Sequence, residues 1–133
     1  QILTRRSKLE SYTGIEIDPD LVEFLHKRFP EEKFIATSAD NLKEHIPDGS
    51  IDTVICSLPW TLFAGELQEA ITSEIIRVLK PGGKFTTFLC IHALTYPGAP
   101  RAKKIFRDSF SDFDKMETIA RNIPPANVYR GTK

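Results

Sequence analysis

Tyr12-Thr13-Gly14-Ile15-Glu16-Ile17-Asp18-Pro19 changes in eight residues from one kind of backbone to another. Tyr12 to Ile17 reads as a short strand, rich in β-branched and aromatic side chains. Asp18 suits a helix N-cap, because its carboxylate accepts from the free N–H groups of a first turn. Pro19 suits the first helical position, where its missing N–H costs nothing. Leu21, Phe24, Leu25 and Phe29 then recur at helical spacing and predict one apolar stripe, which Pro30 closes.

Outward from this switch the same alternation continues. Phe34 to Thr37 reads as a second strand, and Asp40 to His45 as at most a turn or two of helix. After the Asp48-Gly49 turn, Ile51 to Cys56 is a nearly unbroken β-branched run, which suits a parallel strand covered on both faces. Leu67, Ile71, Ile75 and Val78 mark an amphipathic helix from about Gly65 to Leu79, stopped by Lys80-Pro81-Gly82-Gly83. Phe85 to Ile91 is another strand. A loop with Pro97, Gly98 and Pro100 leads to a basic helix, Arg101 to Phe110. Lys115 to Ala120 and Asn127 to Arg130 form two last strands split by Pro124-Pro125. The pattern predicts an α/β fold: a mostly parallel sheet with helices on both faces and an antiparallel hairpin at one edge.

Composition bounds the rest. A chain of 133 residues, 41% apolar and with 18 basic against 18 acidic side chains, suits a single domain and argues against disorder. Two cysteines make neither a disulfide scaffold nor a zinc site; Cys56 and Cys90 fall in apolar strands and read as buried and inert. No apolar run approaches the ~18 residues of a bilayer span, and the expected setting is reducing and cytoplasmic. Residues 1–66 carry seven Lys/Arg against twelve Asp/Glu, and residues 67–133 carry eleven against six. Such a split marks either a face for an anionic partner or an ordinary solvated surface.

Ligands of parallel sheets bind beyond the carboxyl ends of the strands. That rule selects Glu16-Ile17-Asp18, Ser38-Ala39-Asp40, Ser57-Leu58-Pro59-Trp60 and His92. A carboxylate at Glu16 suits a ribose diol, with Ile17 beneath a purine; equally, Glu16 or Asp18 caps the next helix. Ser38, Ala39 and Asp40 suit an adenine edge or an ordinary loop. Trp60 is either ligand or core, and His26 and His45 carry no role.

Four stretches in order resemble Rossmann-like S-adenosylmethionine (SAM) methyltransferases: Gly14–Pro19, Ser38-Ala39-Asp40-Asn41-Leu42, Asp52–Ser57, and Arg77-Val78-Leu79-Lys80-Pro81-Gly82-Gly83-Lys84-Phe85. The resemblance covers Leu9 to Ile91. It implies SAM as cofactor, Glu16 on the ribose hydroxyls, Ile17 on adenine, Ser38 to Asp40 at the adenine rim, and Asp18 and Ser57 among the other cofactor-binding residues. This family begins with a strand and a glycine-rich loop. No G-x-G precedes Glu16, and Gln1 to Arg6 looks like the tail of the helix after that loop. The expectation is one domain over residues 1–133 that lacks its first strand, with a gap between the Tyr12–Ile17 and Ile51–Cys56 strands.

Ser57-Leu58-Pro59-Trp60 resembles the acceptor motif of amine-methylating members. There, carbonyls beside the proline hold the amine, an aromatic face stabilises its growing charge, and His92 or water takes its proton. His92-Ala93, the Arg101–Arg107 stretch and Arg121 to Tyr129 resemble bacterial phospholipid N-methyltransferases, which act on phosphatidylethanolamine. That likeness implies Tyr96, Arg121 and Tyr129 on the substrate side, a small-molecule or lipid amine as acceptor, and peripheral contact with anionic membrane; the assembly expected is a monomer or a homodimer. A second reading is an rRNA adenine dimethyltransferase-like enzyme, disfavoured because no strongly basic nucleic-acid-binding domain follows. A third is a non-catalytic fragment or binding module.

Overall fold

A computed structural model describes residues 10–121 and 123–133. The expected helix tail at Gln1 to Arg6 lies outside the described residues. The elements run β1 (Thr13–Glu16), α1 (Pro19–Arg28), β2 (Lys33–Ala36), β3 (Ile51–Cys56), α2 (Gly65–Val78), β4 (Leu79–Cys90), α3 (Gly98–Ser109), β5 (Ser111–Ile119) and β6 (Ala126–Thr132). Among the described residues these strands make two sheets. β1 and β2 pair in parallel, and the second sheet has the order β3-β4-β6-β5. β3 and β4 are parallel, while β6 runs antiparallel to both β4 and β5. The expected α/β architecture and terminal hairpin are present, and so is the interruption between β1 and β3.

Local chemistry explains the helix ends. The Asp18 side chain accepts from the Asp20 and Leu21 N–H groups, with Pro19 next in line, as its sequence position suggests. The last carbonyls of α2 are satisfied from outside: Gly49 N–H donates to Arg77 O and Ser50 N–H to Val78 O, both at 2.9 Å. No loop separates α2 from β4. Leu79 turns to an extended conformation at once, and Gly82, with φ of 77°, takes up the irregularity within the strand. The basic helix begins earlier than its charges suggest, at Gly98, with Pro100 inside its first turn.

The core lies between α2, α3 and one face of the four-stranded sheet. Phe85, Thr87 and Leu89 alternate along β4 toward that face, and Ile71, Ile75, Ala102 and Phe106 descend from the helices. Trp60 is fully buried at its centre, edge-on to Phe106 at 4.8 Å between ring centroids. A smaller cluster of Leu42, Ile46 and Val78 packs with Ile15 of β1 and with Ile51 and Val54 of β3, joining the two sheets.

Two burial expectations are corrected. β3 is not covered on both faces: Asp52, Thr53 and Ile55 are exposed, Ile55 by 58%, because β3 is an edge strand here. On α1 the buried side chain is Val22, while Leu21 and Phe24 of the expected stripe face solvent. α1 packs chiefly on the short two-stranded sheet, which is too narrow to cover a wide stripe.

Candidate active site

Glu16 ends β1, and its carboxylate folds back over the strand end. Oε1 accepts from the Ile17 N–H at 2.8 Å and the Asp18 N–H at 3.1 Å. This pins the carboxylate at the carboxyl rim and leaves Oε2 without a donor among the described residues. Oε2 therefore retains acceptor capacity suited to a ribose hydroxyl. Asp18 is committed elsewhere, as the cap of α1. Ile17 is 71% exposed beside it.

The second stretch meets the first through the backbone. Thr37 N–H donates to Glu16 O at 3.0 Å, so the turn after β2 sits against the end of β1. Within it the Ser38 hydroxyl and Asp40 carboxylate are hydrogen-bonded to each other, and Asn41 N–H closes the turn on Ser38 O at 3.0 Å. The Ala39 and Asp40 N–H groups donate to nothing among the described residues, and Ala39 packs against the main core cluster. Glu16, Ile17 and Ser38 to Asp40 thus form one contiguous rim with free donors and a free carboxylate oxygen. This fits an adenosine group.

The segment after β3 behaves differently from its expected role. Ser57 and Pro59 are exposed and Leu58 half-buried. Trp60 turns inward, and its Nε1–H donates to Thr87 Oγ1 at 2.9 Å. It cannot form an aromatic wall around an acceptor nitrogen, because its ring contacts Phe63, Phe85 and Phe106 instead. The bend itself is rigidly held. Gln68, buried in α2, donates Nε2–H bonds to Trp60 O at 2.6 Å and Gly98 O at 3.2 Å. At Gly98 the Thr61 backbone leaves no room for a Cβ. Neither Thr87 nor Gln68 was among the expected site residues. A glutamine beside Leu67 and ahead of Ile71 in an apolar helix face was the available signal for Gln68.

Cys56 is buried and its thiol is pushed up to about 11 by that burial, which matches an inert role. Cys90 is only half-buried. His92 lies exposed in the turn Ile91–Thr95 after β4, where its carbonyl accepts from the Thr95 hydroxyl. Tyr96 is 43% exposed in the same loop. Arg121 is exposed beyond the end of β5. Tyr129 is not with it: it lies inside β6, paired with Thr87 and Lys115, its ring buried and stacked on Phe113. The structure therefore separates Arg121 from Tyr129, which the resemblance placed together on the substrate side.

The rim has a second property. Ile91 N–H donates to Pro125 O at 2.8 Å, and Cys90, Ala126 and Ile119 are register neighbours, so β4, β5 and β6 meet at one end of the sheet. Ile17, Leu62, Ile91, Tyr96, Ile119 and Ile123 are exposed large apolar side chains at or just beyond strand ends on this side of the chain's topology. Among the described residues no group of three or more His, Cys, Asp or Glu side chains is placed to hold a metal, and no helix is long and apolar enough to cross a membrane.

The profile of a methyltransferase domain matches residues 1–87. A human thiol S-methyltransferase is 37% identical over 79 residues, covering 55% of this chain and 31% of that protein. The chain spans about a third of the length of the curated relatives it matches. Among solved structures, a SAM-dependent methyltransferase from Methanosarcina mazei superposes with a TM-score of 0.69 at 17% identity, covering 92% of this chain and 82% of that one. The N-methyltransferase NodS from Bradyrhizobium japonicum, solved with S-adenosyl-L-homocysteine, gives 0.68 at 12% identity over 93% of this chain and 67% of its own.

Proposed function

This chain belongs to the methyltransferase-domain family, and from that premise we propose that it serves methyl transfer from SAM to an apolar acceptor at the carboxyl rim. The observation that carries the reading is the end of β1 and the turn after β2. Glu16, Ile17 and the Ser38–Asp40 turn offer a free carboxylate oxygen, an exposed apolar side chain and free N–H groups, and exposed apolar side chains from Leu62 to Ile123 follow the strands of the second sheet. Glu16 Oε2 accepts from the ribose, Ile17 covers one adenine face, and the Ala39 and Asp40 N–H groups address its edge. When bound, the cofactor supplies an electrophilic methyl group on a sulfonium. The protein's own task is then to hold a nucleophile in line with that methyl and keep water away.

The acceptor we favour is a thiol on an apolar small molecule. A thiol, with a pKa of about 8.5, is partly ionised near neutrality, whereas an alkylammonium near 10.4 needs a base to free its lone pair. The rim offers His92 alone among imidazoles, and that ring is exposed. Burial of Trp60 removes the aromatic face that would stabilise an ammonium. The similarity to a thiol S-methyltransferase points the same way. A second reading is the amine of a phosphatidylethanolamine-type phospholipid, favoured by the exposed apolar side chains of the rim, which suit a membrane surface.

Labelled-methyl transfer by the full-length protein separates these. An alkyl thiol labelled in preference to phosphatidylethanolamine vesicles supports the first reading, and the reverse order supports the second. Labelling of polar acceptors only would contradict both.

A further inference from the structure

α3 and the outer strand β5 leave between them a cleft of about 200 Å3, lined by Lys103, Arg107, Phe113, Asp114, Lys115 and Tyr129. It lies at the opposite end of the four-stranded sheet from β3. Its wall is aromatic: Phe113 stacks on Tyr129 with ring centroids 5.6 Å apart and planes 6° from parallel. Lys103 Nζ stands 5.4 Å from the centre of the Tyr129 ring, and strand register sets Lys115 opposite Tyr129.

The charges here are unbalanced. Lys103, Arg107 and Lys115, from two elements, line the cleft with a single acidic residue, Asp114, whose carboxylate already accepts from the Lys115 N–H at 2.7 Å. Among the described residues none of Lys103, Arg107 and Lys115 enters an ion pair. Among the described residues Lys115 Nζ reaches only the Thr118 hydroxyl, at 3.4 Å. Lys104, the next residue of the same helix, is by contrast held by Asp108 at 2.6 Å. Like charges gathered around one concave site repel unless an anion is shared between them.

We propose that this cleft binds a phosphate group, carried either by a soluble phosphate ester or by a lipid headgroup. Arg107 offers two parallel N–H donors to phosphate oxygens, Lys103 and Lys115 add point charges from either side, and the Phe113–Tyr129 pair provides an apolar wall for the carbon of the ester. A phosphate monoester carries a charge of about −1.5 to −2 near neutrality, which matches three cations against one acid better than a carboxylate does. This site is separate from the methyl-transfer rim and stands whichever acceptor that rim takes.

The test uses the full-length protein with inorganic phosphate in solution and with phosphatidylcholine vesicles with or without phosphatidic acid. Binding of at least one phosphate probe is expected. Arg107→Ala and Lys115→Ala should each weaken it about fivefold, as a lost basic contact does, while Lys104→Ala leaves it unchanged. Variant-sensitive binding of free phosphate without vesicle binding identifies a soluble ester as the source, and variant-sensitive binding that requires phosphatidic acid identifies a headgroup. No binding of either probe would overturn the proposal. So would a loss at Lys104→Ala equal to that at Arg107→Ala, or a preference for an RNA oligonucleotide over both probes.

Discussion

Trp60 and Thr87 are joined by a hydrogen bond of 2.9 Å from the indole N–H to the hydroxyl, and Thr87 donates onward to Cys56 O at 2.9 Å. A side chain from the bend after β3 is thereby tied to the neighbouring strand and back to the last residue of its own. The bend of Leu58 and Pro59 is thus anchored from the core outward, through a Trp60 ring that is fully buried.

Trp60→Ala is therefore expected to act first on stability. Emptying a fully buried indole costs about 3–5 kcal/mol. Trp60→Phe keeps an aromatic ring but loses the donor and some ring volume, at about 1–3 kcal/mol. Chemical denaturation measures both, and the affinity for S-adenosylhomocysteine should be unchanged in Trp60→Phe. A stable Trp60→Ala protein with lost turnover would return this side chain to the acceptor pocket.

Glu74 gives a pH dependence with a defined sign. It accepts from Arg77 and from the Leu42 N–H at 2.9 Å, and Arg77 also reaches Asp48 and Ile46 O. The Arg77 hydrogen bonds hold the Glu74 carboxyl below its ordinary value of 4.5. A carboxyl depressed in the folded state contributes stability that is fully present above its unfolded pKa and is lost as pH falls through the folded one. Unfolding free energy should thus decline on acidification below about pH 4.5, and Glu74→Gln should flatten that part of the curve. An identical acid limb in the variant would show that this network carries no such linkage.

The exposed apolar rim makes a kinetic prediction. Leu62→Gln and Ile123→Gln change side chains that are 68% and 95% exposed, so stability should move by less than about 0.5 kcal/mol. KM for an apolar acceptor should rise in both while cofactor affinity stays constant. Unchanged KM with a long-chain thiol and with lipid would remove the rim from substrate binding.

Much of this arrangement was legible in the residues. Asp18-Pro19 declared a helix start, Ile71, Ile75 and Val78 a buried face, and the residues after Lys115 a hairpin, because each rests on contacts close in sequence. The misjudged positions depend on neighbours far along the chain. Ile51 to Cys56 has the composition of a covered strand, but exposure of Ile55 follows from which strand lies beside β3. Trp60 was open between ligand and core until Phe85, Phe106 and Thr87 converged on it. The cleft of Lys103, Arg107 and Lys115 needs α3 to pack against β5, and no spacing in the sequence announces that approach.

The most direct measurement is a calorimetric titration of the full-length protein with S-adenosylhomocysteine, native against Glu16→Gln. Hydrogen bonds to a charged acceptor contribute about 1.5–3 kcal/mol, so the variant should bind at least about tenfold more weakly. Its melting temperature without ligand should be nearly the native one, since the amide oxygen can still accept from Ile17 and Asp18. Equal affinity in the two proteins would contradict the assignment of Glu16 to the ribose and with it the placement of the whole site.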